Sequence, residues 1–264
     1  MKQLQLINKT ALVTGASSGL GVDFARQLAA RGASIVLVAR REDQLQAVAS
    51  TIEKDFGVKA HILAFDLAAP GAPQALYDQL QQRNLQVDIL VNNAGFGIFG
   101  NFAEVPWERE KAMLDIDIIA LTHMTKIFLQ DMLKRKSGYI LQVASIGAYQ
   151  PSPTYATYSA AKAYVLMMGE ALNYELRSSG VSVTVISPGV TATEFLKVSG
   201  QSASLYQRIM MMDSPTVARI GIENMLRRRS SVVPGFLNGL MAFSTRLMPR
   251  SMQSAAANLL MTRN

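Results

Sequence analysis

Two periodicities alternate along this chain, and that alternation limits the folds open to it more than any single residue does. Runs rich in Val, Ile and Leu occur at Thr10–Val13, Ser34–Ala39, Ala60–Phe65, Asp88–Val91, Tyr139–Val143, Val181–Ile186 and Ser231–Val233. Between them lie stretches of helical periodicity, notably Gly19–Arg31, Glu42–Phe56, Pro73–Arg83, Val105–Lys134 and Tyr155–Ser178. A run apolar on both faces, taken in turn with helices, reads as a parallel strand covered on each side. The expectation is an α/β fold, a doubly wound parallel sheet of about seven strands with helices on both faces. No repeat or domain-sized linker interrupts the pattern, so residues 1–264 are expected to form one domain. A segment of about 190–230 is placed to cover a substrate, and an apolar, basic tail follows at about 235–264.

Composition removes several kinds of chemistry. With no cysteine there is no disulfide, thiolate nucleophile or cysteine metal site, and His61 and His123 are too few for a histidine metal centre. No metal is expected. Neither a secretory leader nor an apolar stretch long enough to cross a bilayer is apparent, so a soluble, cytoplasmic protein is expected. The net charge of +7 suits anionic ligands. Without interleaved basic and aromatic motifs, no nucleic-acid partner is expected.

The first strand runs into Thr14-Gly15-Ala16-Ser17-Ser18-Gly19-Leu20-Gly21 and then a helix. Glycines at that junction allow a tight turn and let backbone approach a pyrophosphate at a helix N-terminus. Ser17, Ser18 and Leu20 belong to the same candidate nucleotide-binding turn. At the end of the second strand, where an NAD site presents a carboxylate to the ribose, the chain has Arg40 and Arg41. Their planar donors match phosphate oxygens, so the expected cofactor is NADP(H); a solvated basic pair is the plainer alternative. Asp66, with Leu67 beside it, either bonds an adenine amino group or caps the following turn.

Tyr158 and Lys162 lie four apart on one helix, so they share a face. An ammonium near a phenol favours phenolate and is expected to draw the tyrosine pKa from about 10 towards working pH. Ser145 follows a strand at the ligand-binding edge of such sheets and can hold a carbonyl oxygen, or can simply cap a turn.

Taken in order, the Gly15–Gly21 turn, Asn92-Asn93-Ala94-Gly95, Ser145, Tyr158-x-x-x-Lys162 and Pro188-Gly189 resemble the short-chain dehydrogenase/reductase family over roughly residues 8–195. The resemblance implies a Rossmann-like domain and hydride transfer between nicotinamide and a carbonyl or secondary alcohol, with Tyr158 handling the proton. It also implies that Asn93, Ala94 and Gly95 line the adenosine side and that Lys162 bonds the nicotinamide ribose. Pro188, Gly189, Val190 and Thr193 would orient the carboxamide, and the assembly would be a homo-oligomer, a dimer or tetramer. One departure stands out: where the family carries an active-site asparagine, this chain has Asp117. Asp117 can still accept hydrogen bonds and is taken as a catalytic relay residue, with an ordinary tolerated substitution as the plainer alternative; an ionised carboxylate there would stabilise the Lys162 ammonium and partly cancel its effect on Tyr158.

The expected substrate is an apolar ketone, aldehyde or alcohol, of the 3-oxoacyl, long-chain or hydroxysteroid-like kind. A non-catalytic NADP-binding sensor or scaffold and a membrane-surface interaction protein are the rival functions. The tail, with Phe236–Phe243 and its arginines, can pack on its own domain, meet a second subunit, cover a substrate or contact a membrane surface. Met210-Met211-Met212 reads as an apolar lid or core, His61 as a half-buried strand residue, and Trp107 as the opening of the long helix.

Overall fold

The computed structural model describes residues 5–192, 198–201 and 210–262. In chain order the first half is β1 (Thr10–Thr14), α1 (Gly19–Ala29), β2 (Ser34–Ala39), α2 (Glu42–Phe56), β3 (Ala60–Ala64), α3 (Ala72–Gln82) and β4 (Ile89–Asn92). Then come α4 (Trp107–Leu114), α5 (Leu121–Arg135), β5 (Gly138–Val143), α6 (Ala156–Glu175), β6 (Val181–Ile186), α7 (Ser214–Leu226), β7 (Ser231–Val232), α8 (Phe236–Ser244) and α9 (Arg250–Thr262). The strands form one seven-stranded sheet in the order β3-β2-β1-β4-β5-β6-β7, and every pairing is parallel. The order reverses between β1 and β4, and the crevice at the strands' carboxyl ends there is where a doubly wound sheet takes its ligand.

Strand alternation sorts the core into two layers. Val13, Ile35, Leu37, Val91 and Leu141 pack with Phe24, Leu28, Leu45, Ile52 and Ile222 on one face. Their neighbours Leu12, Val36, Val38, Leu90 and Ile140 pack with Leu76, Leu80, Met124, Phe128 and Met132 on the other. Because both sets are apolar, each strand reads as an unbroken apolar run. Helix ends follow local chemistry. Gly57 closes α2 in the left-handed conformation and returns its N–H to Glu53, while the Asp213 carboxylate caps α7 by accepting from Thr216 N at 2.9 Å.

Two expectations change. The stretch Val105–Lys134 is not one α-helix, because a π-helical turn over Asp115–Ala120 separates α4 from α5. Nor does the whole of 190–230 cover a substrate: α7 buries Val217, Ala218, Ile222 and Met225 against Phe24, Ala25 and Leu28 of α1, at spacings that put all four on one face. It is part of the core.

Candidate active site

At the carboxyl ends of β1 and β4 the chain folds around a cavity of about 620 Å³. Its floor is the glycine turn. Gly15 has φ +65°, and a side chain there would strike Asn93 Nδ2 and the Ala94 backbone. Asn93 Nδ2 donates to the carbonyls of Thr14, at 2.9 Å, and Gly15, at 3.3 Å, while the Asn93 and Ala94 amides both donate to Thr14 Oγ1 at 2.9 Å. The segment after β4 thus clamps the turn after β1. Ser18, which precedes α1, makes no side-chain cap, and the first turn of α1 has no acidic residue. The helix presents uncapped amides and its positive end to the cavity, an arrangement that fits a pyrophosphate.

The arginines after β2 border the same space. Arg41 Nη2 donates to Ser17 Oγ at 3.1 Å and Ser18 Oγ at 3.0 Å, drawing its guanidinium over the turn. Arg40 is exposed, and nothing among the described residues pairs with it. Asp66 accepts from Ala68 N at 3.2 Å through one carboxylate oxygen, so it does cap the turn after β3 while also lining the cavity.

The opposite wall carries Ser145, Tyr158 and Lys162. Ser145 ends the extended stretch after β5, and its Oγ accepts from Gly147 N at 3.1 Å. Tyr158 stands one turn before Lys162 on α6, with Lys162 Nζ 5.7 Å from its ring centroid. Lys162 is buried. Its Nζ donates to Val143 O at 3.1 Å and to Asp117 Oδ1 at 3.3 Å. The π-helical turn supplies Asp117, which is wholly buried, and Oδ2 has no hydrogen-bond partner among the described residues. Gly95 makes room for this pair, since a Cβ there would collide with the Asp117 carboxylate.

Burial pushes the Asp117 carboxyl up, and the Lys162 charge opposes that only in part. Burial also pushes the Tyr158 phenol up, and the Asp117 charge adds to the rise; only a hydrogen bond from the Ser145 hydroxyl works the other way. The expectation that Lys162 brings the phenol down is therefore not met. Its ammonium is compensated by Asp117 at close range, which is the cancellation that the aspartate's position implied.

Of the residues expected from sequence, Gly15, Ser17, Ser18, Gly19, Leu20, Arg40, Arg41, Asp66, Leu67, Asn93, Ala94, Gly95, Ser145, Tyr158, Lys162, Pro188, Gly189 and Val190 all line this one cavity. Gly21 lies beneath it, with Gly15 O where a side chain would be. Asp117 does not line the cavity but stands behind Lys162 and Gly95, which do. Thr193 lies outside the described residues. Sequence reasoning did not single out Tyr155, whose ring packs on Tyr158 and whose hydroxyl donates to Gln201 Oε1 at 2.9 Å and lies 3.0 Å from Ser199 Oγ, from which it can accept. It also missed Arg109, Ala112 and Ile116, which line the cavity from α4 and the π turn. The helical periodicity of that stretch gave no sign that one side of it faces a ligand.

A doubly wound parallel sheet with a phosphate-ready turn and a serine, tyrosine and lysine on the facing wall is the layout of a nucleotide-dependent oxidoreductase. Residues 9–203 match the sequence model of the short chain dehydrogenase family, and the chain belongs to that family. It is 30% identical, over 96% of its length and 79% of the relative's, to a very-long-chain 3-oxoacyl-CoA reductase of Anas platyrhynchos. A short-chain dehydrogenase from Sphingobium yanoikuyae, solved in complex with NADPH, is 28% identical with a TM-score of 0.81, covering 92% of this chain and 97% of that one. A 7beta-hydroxysteroid dehydrogenase structure superposes with a TM-score of 0.87 over 96% of this chain and 98% of that one; at 24% identity the likeness is one of fold. The protein is a short-chain dehydrogenase/reductase oxidoreductase built on a Rossmann-like sheet.

Proposed function

We propose that the chain is an NADP(H)-dependent carbonyl reductase acting on an apolar ketone or aldehyde, or on the secondary alcohol in reverse. The observation that carries this reading is the shared cavity: the glycine turn with Arg40 and Arg41 at one end, and Ser145 and Tyr158 at the other. When bound, the nicotinamide supplies or accepts the hydride. Ser145 holds the substrate oxygen. Tyr158, kept protonated by the burial that raises its pKa, gives its proton to that oxygen as the carbonyl carbon gains hydride. Lys162 holds the nicotinamide ribose and Asp117 positions Lys162. Residues of the turn, Asp66, Leu67, Asn93 to Gly95, and Pro188 to Val190 with Thr193 hold the rest of the cofactor.

The two arginines support NADP over NAD, since a guanidinium matches a 2′-phosphate and repels nothing there. The NADPH named for the Sphingobium structure agrees. An apolar substrate is supported by Phe96, Ile116, Ile146, Val190 and Val198 in the cavity wall and by the name of the 3-oxoacyl-CoA reductase. A homo-oligomer is supported by the exposed Ile119, Met167 and Tyr174, which leave apolar surface on the π turn and α6 for a second copy to cover. A panel of 3-oxoacyl thioesters, long-chain ketones and steroid ketones, followed by NADPH and NADH consumption, tests the reading. NADPH-linked turnover is expected; turnover with NADH alone would refute the cofactor assignment, and none with any carbonyl would refute the activity.

A further inference from the structure

The last helices carry their apolar side chains on the outside. In α8 and the 3₁₀ turn Thr245–Leu247 after it, the buried positions are Asn238, Ala242 and Thr245. Phe236, Leu240, Phe243 and Leu247, at helical spacing on the other side, are exposed, Phe236 by 84% and Leu247 by 76%. Helix α9 repeats the inversion, with Gln253 and Ala257 buried and Met252 and Leu259 exposed. Gln253 Nε2 donates to Thr245 O at 2.6 Å and Met248 O at 2.8 Å, fastening the two helices together. Single exposed apolar residues are ordinary, but a continuous outward stripe is a contact surface.

Charge selects what it contacts. After Glu223 the sequence contains six arginines and no acidic residue. Arg246 and Arg250 flank Leu247 and are exposed; the Arg250 guanidinium has no partner among the described residues. Glu170 shares the surroundings of Tyr149 with Arg246, but its carboxylate accepts from Ser231 Oγ at 2.5 Å. A second copy laid on this face would set arginine against arginine with no acidic side chain in either tail to pair with. An anionic lipid surface satisfies both features at once, its acyl boundary taking Phe and Leu and its phosphates taking Arg. No helix among the described residues is long and apolar enough to cross a membrane, so contact is by lying on the surface.

We infer that α8 and α9 form an interfacial anchor that docks this protein on bilayers containing anionic phospholipid. The anchor is coupled to the site through its inner face. The Asn238 carboxamide packs on Gly189 so closely that a Cβ there would meet it, and Met212 Sδ fills the space beside Gly235. Gly189 and Val190 line the cavity, and the Met212 amide donates to Val190 O at 3.0 Å. On the proposed apolar-substrate reading, docking holds one wall of the cavity beside the bilayer from which such a substrate would come.

Co-sedimentation of the full-length protein with phosphatidylcholine vesicles, with and without about one-third phosphatidylglycerol, tests the anchor. Binding to anionic vesicles is expected to exceed binding to neutral ones by about tenfold or more and to fall with salt. The pair Phe236→Ser/Phe243→Ser and the pair Arg246→Gln/Arg250→Gln should each lose about tenfold. Both should keep the wild-type melting temperature, because the changed side chains are exposed. Absence of wild-type binding, or equal binding to both vesicles, overturns the inference. So does a phenylalanine pair that binds vesicles like wild type but sediments as a smaller species, since the face then joins copies of the chain. Vesicle binding requires no turnover, so a protein that docks but reduces no carbonyl would sink the activity reading and leave the anchor standing.

Discussion

Lys162 Nζ lies 3.3 Å from Asp117 Oδ1, and both groups are buried, so the cation nearest the Tyr158 ring is already paired within the protein. Exchange of a neutral amide for an ionisable carboxylate at this point makes the local charge balance depend on the Asp117 proton while keeping a hydrogen-bond acceptor in place. The phenol consequently sits at a higher pKa than lysine alone would set.

Asp117→Asn tests that relationship directly. Removing the carboxylate removes one of the two causes that raise the Tyr158 pKa. Reduction needs the phenol protonated and is lost as pH rises through its pKa, so the alkaline limb of kcat should move to lower pH. Oxidation needs the phenolate, and its rise should move to lower pH as well. Profiles of kcat against pH in both directions measure this, and unchanged profiles would remove Asp117 from the mechanism.

Tyr158→Phe should lower kcat by about two to four orders of magnitude while leaving NADPH affinity within a few-fold. Single-turnover kinetics with cofactor fluorescence titration separate the two quantities. Reduction at the wild-type rate would show that another group moves the proton.

Lys162→Ala leaves Asp117 buried without its cation and should cost about 3–5 kcal/mol of stability at neutral pH. Burial already holds the folded-state pKa of Asp117 above its ordinary value. Folding therefore favours the protonated acid, and the penalty is present above the ordinary carboxylate range and fades as pH falls through the raised folded pKa. Urea unfolding of wild type and variant at several pH values should show the gap narrowing towards acid.

Arg40→Ala with Arg41→Ala should raise KM for NADPH by about tenfold or more and change KM for NADH little. On the proposed reading each guanidinium lost removes charge-assisted hydrogen bonds to the 2′-phosphate, and Arg41 also gives up those to Ser17 and Ser18. Equal effects on both cofactors would reduce the pair to general surface charge.

Gly95→Ala should be poorly tolerated despite its size, because the new methyl would displace the Asp117 carboxylate. A lowered melting temperature together with an altered pH profile is expected; a variant indistinguishable from wild type would mean the carboxylate moves aside freely.

Much of this was legible in the residues themselves. Strands such as Ser34–Ala39 and Val181–Ile186 are apolar on both faces because both faces are covered, and the reading from sequence matched their bounds. The glycine turn and Ser145, Tyr158 and Lys162 were legible because their spacing is fixed by backbone geometry. What escaped notice depends on context. The π turn over Asp115–Ala120 is silent in a pattern that stays helical on either side. In α8 the stripe Phe236, Leu240, Phe243 and Leu247 has the periodicity of a core-facing helix, yet it is Asn238, Ala242 and Thr245 that turn inward. Periodicity identifies a face but does not say which medium the face meets.

The wide turn between α4 and α5 has a consequence for how this enzyme can change. One surplus residue is wound into an otherwise regular helix. Excising a single residue there would let the two helices run on as one and swing the carboxylate away from Lys162, while Met124, Phe128 and Met132 could hold their places against the sheet. The proton chemistry would then be tuned by helix length, a variable separable from the scaffold that carries it.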